Sequence, residues 1–166
     1  MALTLIATAA AEDANTYVTL AEAESIMEAR LHKTNWTNAS DADKNIALVW
    51  ATNLLDRQVD WDGSKYDDDS ALRWPRSGIM NQDGIYLDDD VIPTFLKEAT
   101  TFYAFYLLSE DRLAENDLMG FSYIRAGSVA MNIDKRDRKA VIPPEVWDII
   151  KVYGSKTMGT RMLEHV

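Results

Sequence analysis

The sequence predicts a mainly α domain of the α+β type: about four helices in a compact bundle, one or two small β-hairpins and an extended C-terminal tail. Three observations carry that prediction. Apolar residues recur at helical spacing in four separate stretches, each opened by a capping residue or a proline. No stretch alternates strand and helix in the βα manner, and there is no internal repeat or low-complexity segment. The chain has 166 residues, 47% of them apolar, and no cysteine. Its core must therefore be held by packing alone, or by packing plus neighbouring subunits. The expected division is one domain over 1–153, with a hairpin at about 121–133, and an extended arm over 154–166.

The first helix starts near Thr19, because Thr19-Leu20-Ala21-Glu22 is a capping box whose hydroxyl and carboxylate satisfy backbone N–H groups reciprocally. Leu20, Ala23, Met27 and Leu31 follow on one face, and His32 stands at the helix end, where positive charge suits the dipole. Residues 35–39 read as a loop. Ser40 caps the second helix, with Asp41 and Asp43 in its first turn and Ile46, Val49, Trp50 and Leu54 as its main apolar stripe. Ala47, Ala51 and Leu55 widen that stripe.

From Val59 to Asp90 the periodicity stops. Trp61, Gly63, Trp74-Pro75, Gly78 and Asp83-Gly84 are turn and anchor signals, and Trp61, Tyr66 and Trp74 are expected to pin the excursion down. Ile79-Met80 and Ile85-Tyr86-Leu87 flank a turn, which predicts a small hairpin. Pro93 opens a third helix that is apolar nearly all round and hence central. Two short runs around Ala126-Gly127-Ser128 predict the hairpin at 121–133, and Pro143-Pro144 starts a fourth helix that Gly154 ends.

Formal net charge is −10. It is unevenly placed: residues 1–121 carry 9 Lys+Arg against 22 Asp+Glu (−13), and residues 122–166 carry 8 against 5 (+3). Such a balance disfavours a free-standing nucleic-acid binder and suits a chain that mates acidic body to basic tail. The N-terminal apolar strip has no Lys or Arg before it and is short, so secretion is not expected. No window reaches the ~20 apolar residues that span a bilayer, so no membrane partner is expected.

The residues offer little chemistry. Only His32 and His165 are present for proton transfer near neutral pH. Asp67–Asp69 and Asp88–Asp90 lack the ligand spacing of a calcium loop, and the second triplet is explained by its place before the helix at Pro93. No phosphate loop, nucleophile elbow or zinc motif is found. No catalytic residue, metal ligand or cofactor is expected, and the chain is read as a non-enzyme.

Several segments together carry a resemblance to one known family. They are Asn15-Thr16-Tyr17-Val18-Thr19-Leu20-Ala21-Glu22-Ala23, Ala42-Asp43-Lys44, Ala51-Thr52-Asn53-Leu54-Leu55-Asp56, and Leu72-Arg73-Trp74-Pro75-Arg76-Ser77-Gly78 followed by Asp83-Gly84 and Ile92-Pro93. That family is known as DnaT-like single-stranded-DNA-binding proteins and is similar in layout to head–tail connector, or adaptor, proteins of phage necks. The resemblance covers about 15–110 and fades after about 115.

What the resemblance implies is a structural ring of about twelve copies. It would be made in the host cytoplasm and sit in the virion neck between the portal protein and a tail or nozzle protein, with double-stranded DNA passing through. A portal or subunit interface is then expected on Tyr123, Ile124, Arg125 and Ser128 of the hairpin, on Lys135, Arg136, Arg138 and Lys139, and on Arg161 and Met162 of the tail. Trp74, Pro75 and Arg76 are expected to be a structural anchor. The other expectation is a single-stranded-DNA-binding accessory protein, in which Trp36, Trp61 and Trp74 would stack on bases.

Overall fold

The computed structural model describes residues 3–113, 123–126, 129–132 and 140–157. Helix α1 (Leu20–Glu28) begins at the expected box: the Thr19 hydroxyl accepts from the Glu22 N–H and the Glu22 carboxylate accepts from the Thr19 N–H. It is shorter than its apolar pattern suggests. Lys33 Nζ donates to the carbonyls of Met27 (2.9 Å) and Glu28 (3.3 Å), which closes the helix there. Leu31 is consequently 80% exposed and outside the helix, and His32 sits in the following turn with φ +55°. Lys33 thus holds the helix-end position that the sequence suggested for His32.

Of residues 35–39, expected as a loop, the first four belong to a short helix, α2 (Thr34–Asn38). Tertiary anchoring overrides its weak propensity. Trp36 is buried, its indole N–H donates to Glu24 Oε2 (3.1 Å), and the Lys44 ammonium lies 5.4 Å from its ring. Glu24 also accepts from Lys44 at 2.7 Å, so one carboxylate ties three helices together.

Helix α3 (Asp41–Gln58) is capped by Ser40, whose hydroxyl accepts from the Asp43 N–H. Its buried face differs from the expected stripe. Ala47, Leu48, Ala51, Leu54 and Leu55 are buried, whereas Ile46 (53% exposed) and Trp50 (50% exposed) face outward. Apolar residues cover so much of this helix that periodicity cannot choose the inner side. Two buried polar residues mark it instead: Lys44 in its ion pair and Thr52, whose hydroxyl donates to the Leu48 carbonyl.

Helix α4 (Thr94–Leu107) is the central element and packs against α1, α3 and α5 (Pro144–Ile150). Pro93 is its N-cap, and no side chain caps that end. Asp88–Asp90 therefore do not cap α4 as the sequence suggested. Arg30 clamps α1 to α4 and α5: it makes a bidentate pair with Glu145 (2.6 and 2.8 Å) and stacks over Phe102 and Phe105 at 4.6 and 4.7 Å. Tyr106 donates to the same carboxylate at 2.7 Å.

Three short antiparallel pairs complete the described residues. β1 (Val59–Trp61) pairs with β6 (Gly154–Lys156), Trp61 lying opposite Gly154. A Cβ at Gly154 would stand 2.7 Å from the Asp60 carbonyl, so glycine is what lets the strands close. α5 ends at Ile150, before Gly154, and the expected arm begins as a strand of the body, with the Thr157 N–H donating to Gln58 O (2.9 Å). β2 (Ser64–Lys65) pairs with β3 (Arg76–Ser77), and β4 (Tyr123–Ala126) pairs with β5 (Val129–Asn132) in the hairpin foreseen at 121–133. The small hairpin foreseen around Asn81 forms as a short antiparallel turn, with the bridge Met80 to Tyr86 flanked by Asn81 N–H to Ile85 O (2.8 Å) and Leu87 N–H to Ile79 O (2.9 Å).

The N-terminal strip lies on the body. Ile6 and Asn15 exchange bonds (2.8 and 2.9 Å), and Leu5 and Ala11 pack on the core. Fully buried Tyr17 donates its hydroxyl to Asp56 of α3, and the Arg73 N–H donates to the other Asp56 oxygen at 3.1 Å. Burial pushes the Asp56 carboxyl up, and the bonds from Tyr17 and Arg73 oppose it.

Candidate functional site

The irregular stretch 59–92 is fastened by Trp74, Pro75 and Arg76. Trp74 is 1% exposed and meets Trp61 and Phe95 edge to face, each at 5.6 Å, while Phe95 stacks on Tyr153 at 3.9 Å. The Trp74–Pro75 peptide bond is cis and Pro75 is buried. Arg76 points back along the loop and donates to the carbonyls of Asp62 (2.6 Å), Gly63 (2.7 Å), Arg73 (3.2 Å) and Trp61 (3.3 Å). A guanidinium suits this task because its five donors fan out in one plane. Tyr66, expected as a third anchor, has a half-exposed ring, and it is its backbone N–H, donating to the Pro75 carbonyl at 3.1 Å, that ties it to the loop.

Most cations of the described body have a partner within the chain. Residues 3–113 and 140–157 carry 11 Lys+Arg against 22 Asp+Glu, a net of −11. Ten of the eleven are held by a carboxylate, a backbone carbonyl or an aromatic ring. The acids of the loops stay outward: Asp67–Asp69 and Asp88–Asp90 are exposed, with bonds such as the Ser77 hydroxyl to Asp89 (3.3 Å) and the Asp69 N–H to Asp67 (3.0 Å). Among the described residues no group of three His, Asp or Glu could hold a metal ion. No helix among them is long and apolar enough to cross a membrane.

Aromatics that could stack on bases are mostly elsewhere. Trp36, Trp61 and Trp74 are all buried, at 1, 7 and 1% exposure, and serve as packing anchors. Among the described residues the outward aromatics are Trp50, Tyr66 and Tyr86.

One depression was not foreseen from the sequence. A groove of about 650 Å³ opens between α2, the first half of α3 and the end of α4. Ile46, Trp50, Leu107 and Leu108 give it an apolar floor, and Asp43 and Asp111 stand in its lining. The signal that points to it is the surplus of apolar residues on α3, of which Ile46 and Trp50 face outward. Of the expected interface residues, Tyr123, Ile124 and Arg125 lie on β4. Ser128, Lys135, Arg136, Arg138, Lys139, Arg161 and Met162 lie outside the described residues.

The sequence model of a family described as "Putative DnaT-like ssDNA binding protein" matches residues 1–162. The chain belongs to that family. The match extends the resemblance seen at 15–110 through the hairpin, α5 and most of the tail. Neither the curated proteins nor the solved structures contain a match to this chain.

Proposed function

We propose that this chain is a structural head-to-tail connector of a tailed bacteriophage. In that reading about twelve copies form a ring between the portal protein and a tail or nozzle protein in the virion neck, and double-stranded DNA passes through it. The observation that carries the proposal is the electrostatics of the body: a net of −11, with most of its cations paired with carboxylates, carbonyls or rings. A polyanion sliding along such a wall is repelled and does not stall, whereas a basic wall would collect phosphates and release counterions. Mixing the chain with portal rings of its own phage tests this. A discrete increase in particle mass, with extra density under the portal, is expected. A portal whose mass never changes overturns it.

A second reading has a specific observation behind it, namely the family's own description, which favours single-stranded-DNA binding over a connector role. In that reading Trp50, Tyr66 and Tyr86 supply the stacking surface and the sequence from 122 onward, net +3, supplies the contacts to phosphate. Trp36, Trp61 and Trp74 are buried and so do not offer stacking faces in that reading. Saturable capture of an oligonucleotide would favour this reading over the first.

A further inference from the structure

We propose that Asp56 is a proton-operated latch: with its carboxyl neutral it fastens the N-terminal segment and the 59–92 stretch to the end of α3, and its ionisation slackens both. Three segments meet on this one side chain. Asp56 stands in the last turn of α3, Tyr17 follows the N-terminal strip, and Arg73 directly precedes Trp74. The Tyr17 hydroxyl donates to one carboxyl oxygen, and the Arg73 backbone N–H donates to the other at 3.1 Å. Two further bonds run alongside. The Tyr17 N–H donates to the Thr52 hydroxyl (3.4 Å), and the Ala71 N–H donates to the Ala11 carbonyl (3.1 Å).

The junction lacks a counter-ion. Among the described residues no Lys or Arg forms an ion pair with Asp56. The titratable and charged groups that face it are Tyr17 from the N-terminal segment and Arg73 and Arg76 from the 59–92 stretch. Both guanidiniums are committed elsewhere. Arg73 reaches the Val59 carbonyl (3.5 Å) and the Asp60 carboxylate (3.9 Å), and Arg76 spans the carbonyls of Trp61, Asp62, Gly63 and Arg73. Asp60 and Asp62, beside the two arginines, weaken their field at the junction further. The buried indole N–H of Trp61 also faces Asp56 and has no hydrogen-bond partner of its own.

A carboxylate withdrawn from water without a paired cation is held by hydrogen bonds alone, and these offset only part of its lost hydration. Burial accordingly sets the Asp56 carboxyl above the ordinary carboxylate range, while burial and the neighbouring Asp56 keep the Tyr17 hydroxyl protonated. The same atoms serve both states. Ionised, both oxygens of Asp56 accept. Neutral, the oxygen nearer Tyr17 carries the proton and donates it to Tyr17 Oη, and the other still accepts from the Arg73 N–H. Both contacts survive and the buried charge is gone. Because folding raises this group, its contribution to stability is full below the unfolded carboxylate value and is lost as pH rises through the folded one. That sign is opposite to the Arg30–Glu145 pair, whose carboxyl is lowered.

NMR of the carbon-13-labelled full chain follows the Asp56 side-chain carboxyl through a pH titration, and hydrogen exchange gives the protection factor of the Arg73 amide at each pH. A carboxyl midpoint above that of unfolded aspartate is expected, with Arg73 protection falling severalfold across the same interval. Tyr17→Phe keeps the ring in the core and removes a donor to the carboxylate, so its midpoint should move higher still. Asp56→Asn cannot ionise and should hold Arg73 protection constant over that interval. A parent midpoint at or below the unfolded value overturns the proposal. So does Arg73 protection that ignores pH in the parent, or that falls as much in Asp56→Asn. Should the asparagine variant fail to fold, the parent and Tyr17→Phe titrations decide by themselves, and a midpoint unmoved by Tyr17→Phe also overturns it.

Discussion

Replacing Trp74 with alanine removes the middle of a four-ring series, Trp61–Trp74–Phe95–Tyr153, that joins the 59–92 stretch to α4 and to the residues after α5. A buried tryptophan hides about 200 Å², which at about 25 cal/mol per Å² corresponds to about 5 kcal/mol. Partial collapse of the surroundings sets the expected loss at about 3–5 kcal/mol. That is a large fraction of the ~5–15 kcal/mol that holds a domain of this kind together. At roughly 2–4 °C per kcal/mol for a chain of this length, the melting temperature should drop by about 6–20 °C. The buried indole N–H of Trp74 makes no hydrogen bond, so Trp74→Phe gives up mainly volume and should cost about 1–2 kcal/mol. Thermal and urea melts followed by far-UV circular dichroism read both variants without relying on the lost fluorophore. An alanine variant that melts within about 2 °C of the parent would mean that the ring series does not secure the loop.

Three further outcomes follow from the geometry. Arg76→Lys keeps the charge but cannot reach four carbonyls in one plane, so about 1–2 kcal/mol should be lost in the same melts, and a neutral result would assign the loop's order to the aromatics alone. The Arg30 hydrogen bonds hold Glu145 below the usual carboxylate range, so this pair adds stability above the unfolded carboxylate pKa and loses it as pH falls through the lower folded value. Partial exposure limits that contribution to about 1 kcal/mol, and Glu145→Gln should flatten the acid side of the melting-temperature profile; a parallel, unflattened profile would contradict the assignment. Gly63→Ala should destabilise by about 1–3 kcal/mol, since Gly63 has φ +67° and a Cβ there would lie 2.3 Å from the Ser77 carbonyl; an unchanged urea midpoint would count against that strain.

Local signals in the sequence carried the helix starts. The Thr19–Glu22 box and the Ser40 cap are encoded within four residues each, and the structure forms both. The loop anchors were legible too, because a Trp-Pro-Arg run inside an aperiodic stretch has few ways to be stable without burial. What could not be read was the facing of α3, where apolar residues surround most of the helix and only the contacts of Lys44 and Thr52 fix the phase. The same ambiguity concealed the groove, which three separate elements build and no local pattern announces. α2 was invisible for a related reason: its order comes from Glu24, Lys44 and Trp36 meeting across three helices, and not from propensity.

Fluorescence anisotropy of a labelled oligonucleotide, titrated with the full chain at low and then rising salt, addresses the electrostatic claim head on. An outward-acidic body with its cations engaged predicts no saturable binding to single- or double-stranded DNA up to tens of micromolar, even at low ionic strength. Micromolar or tighter binding that weakens steeply as salt is added would contradict it, and would make the chain a holder of DNA.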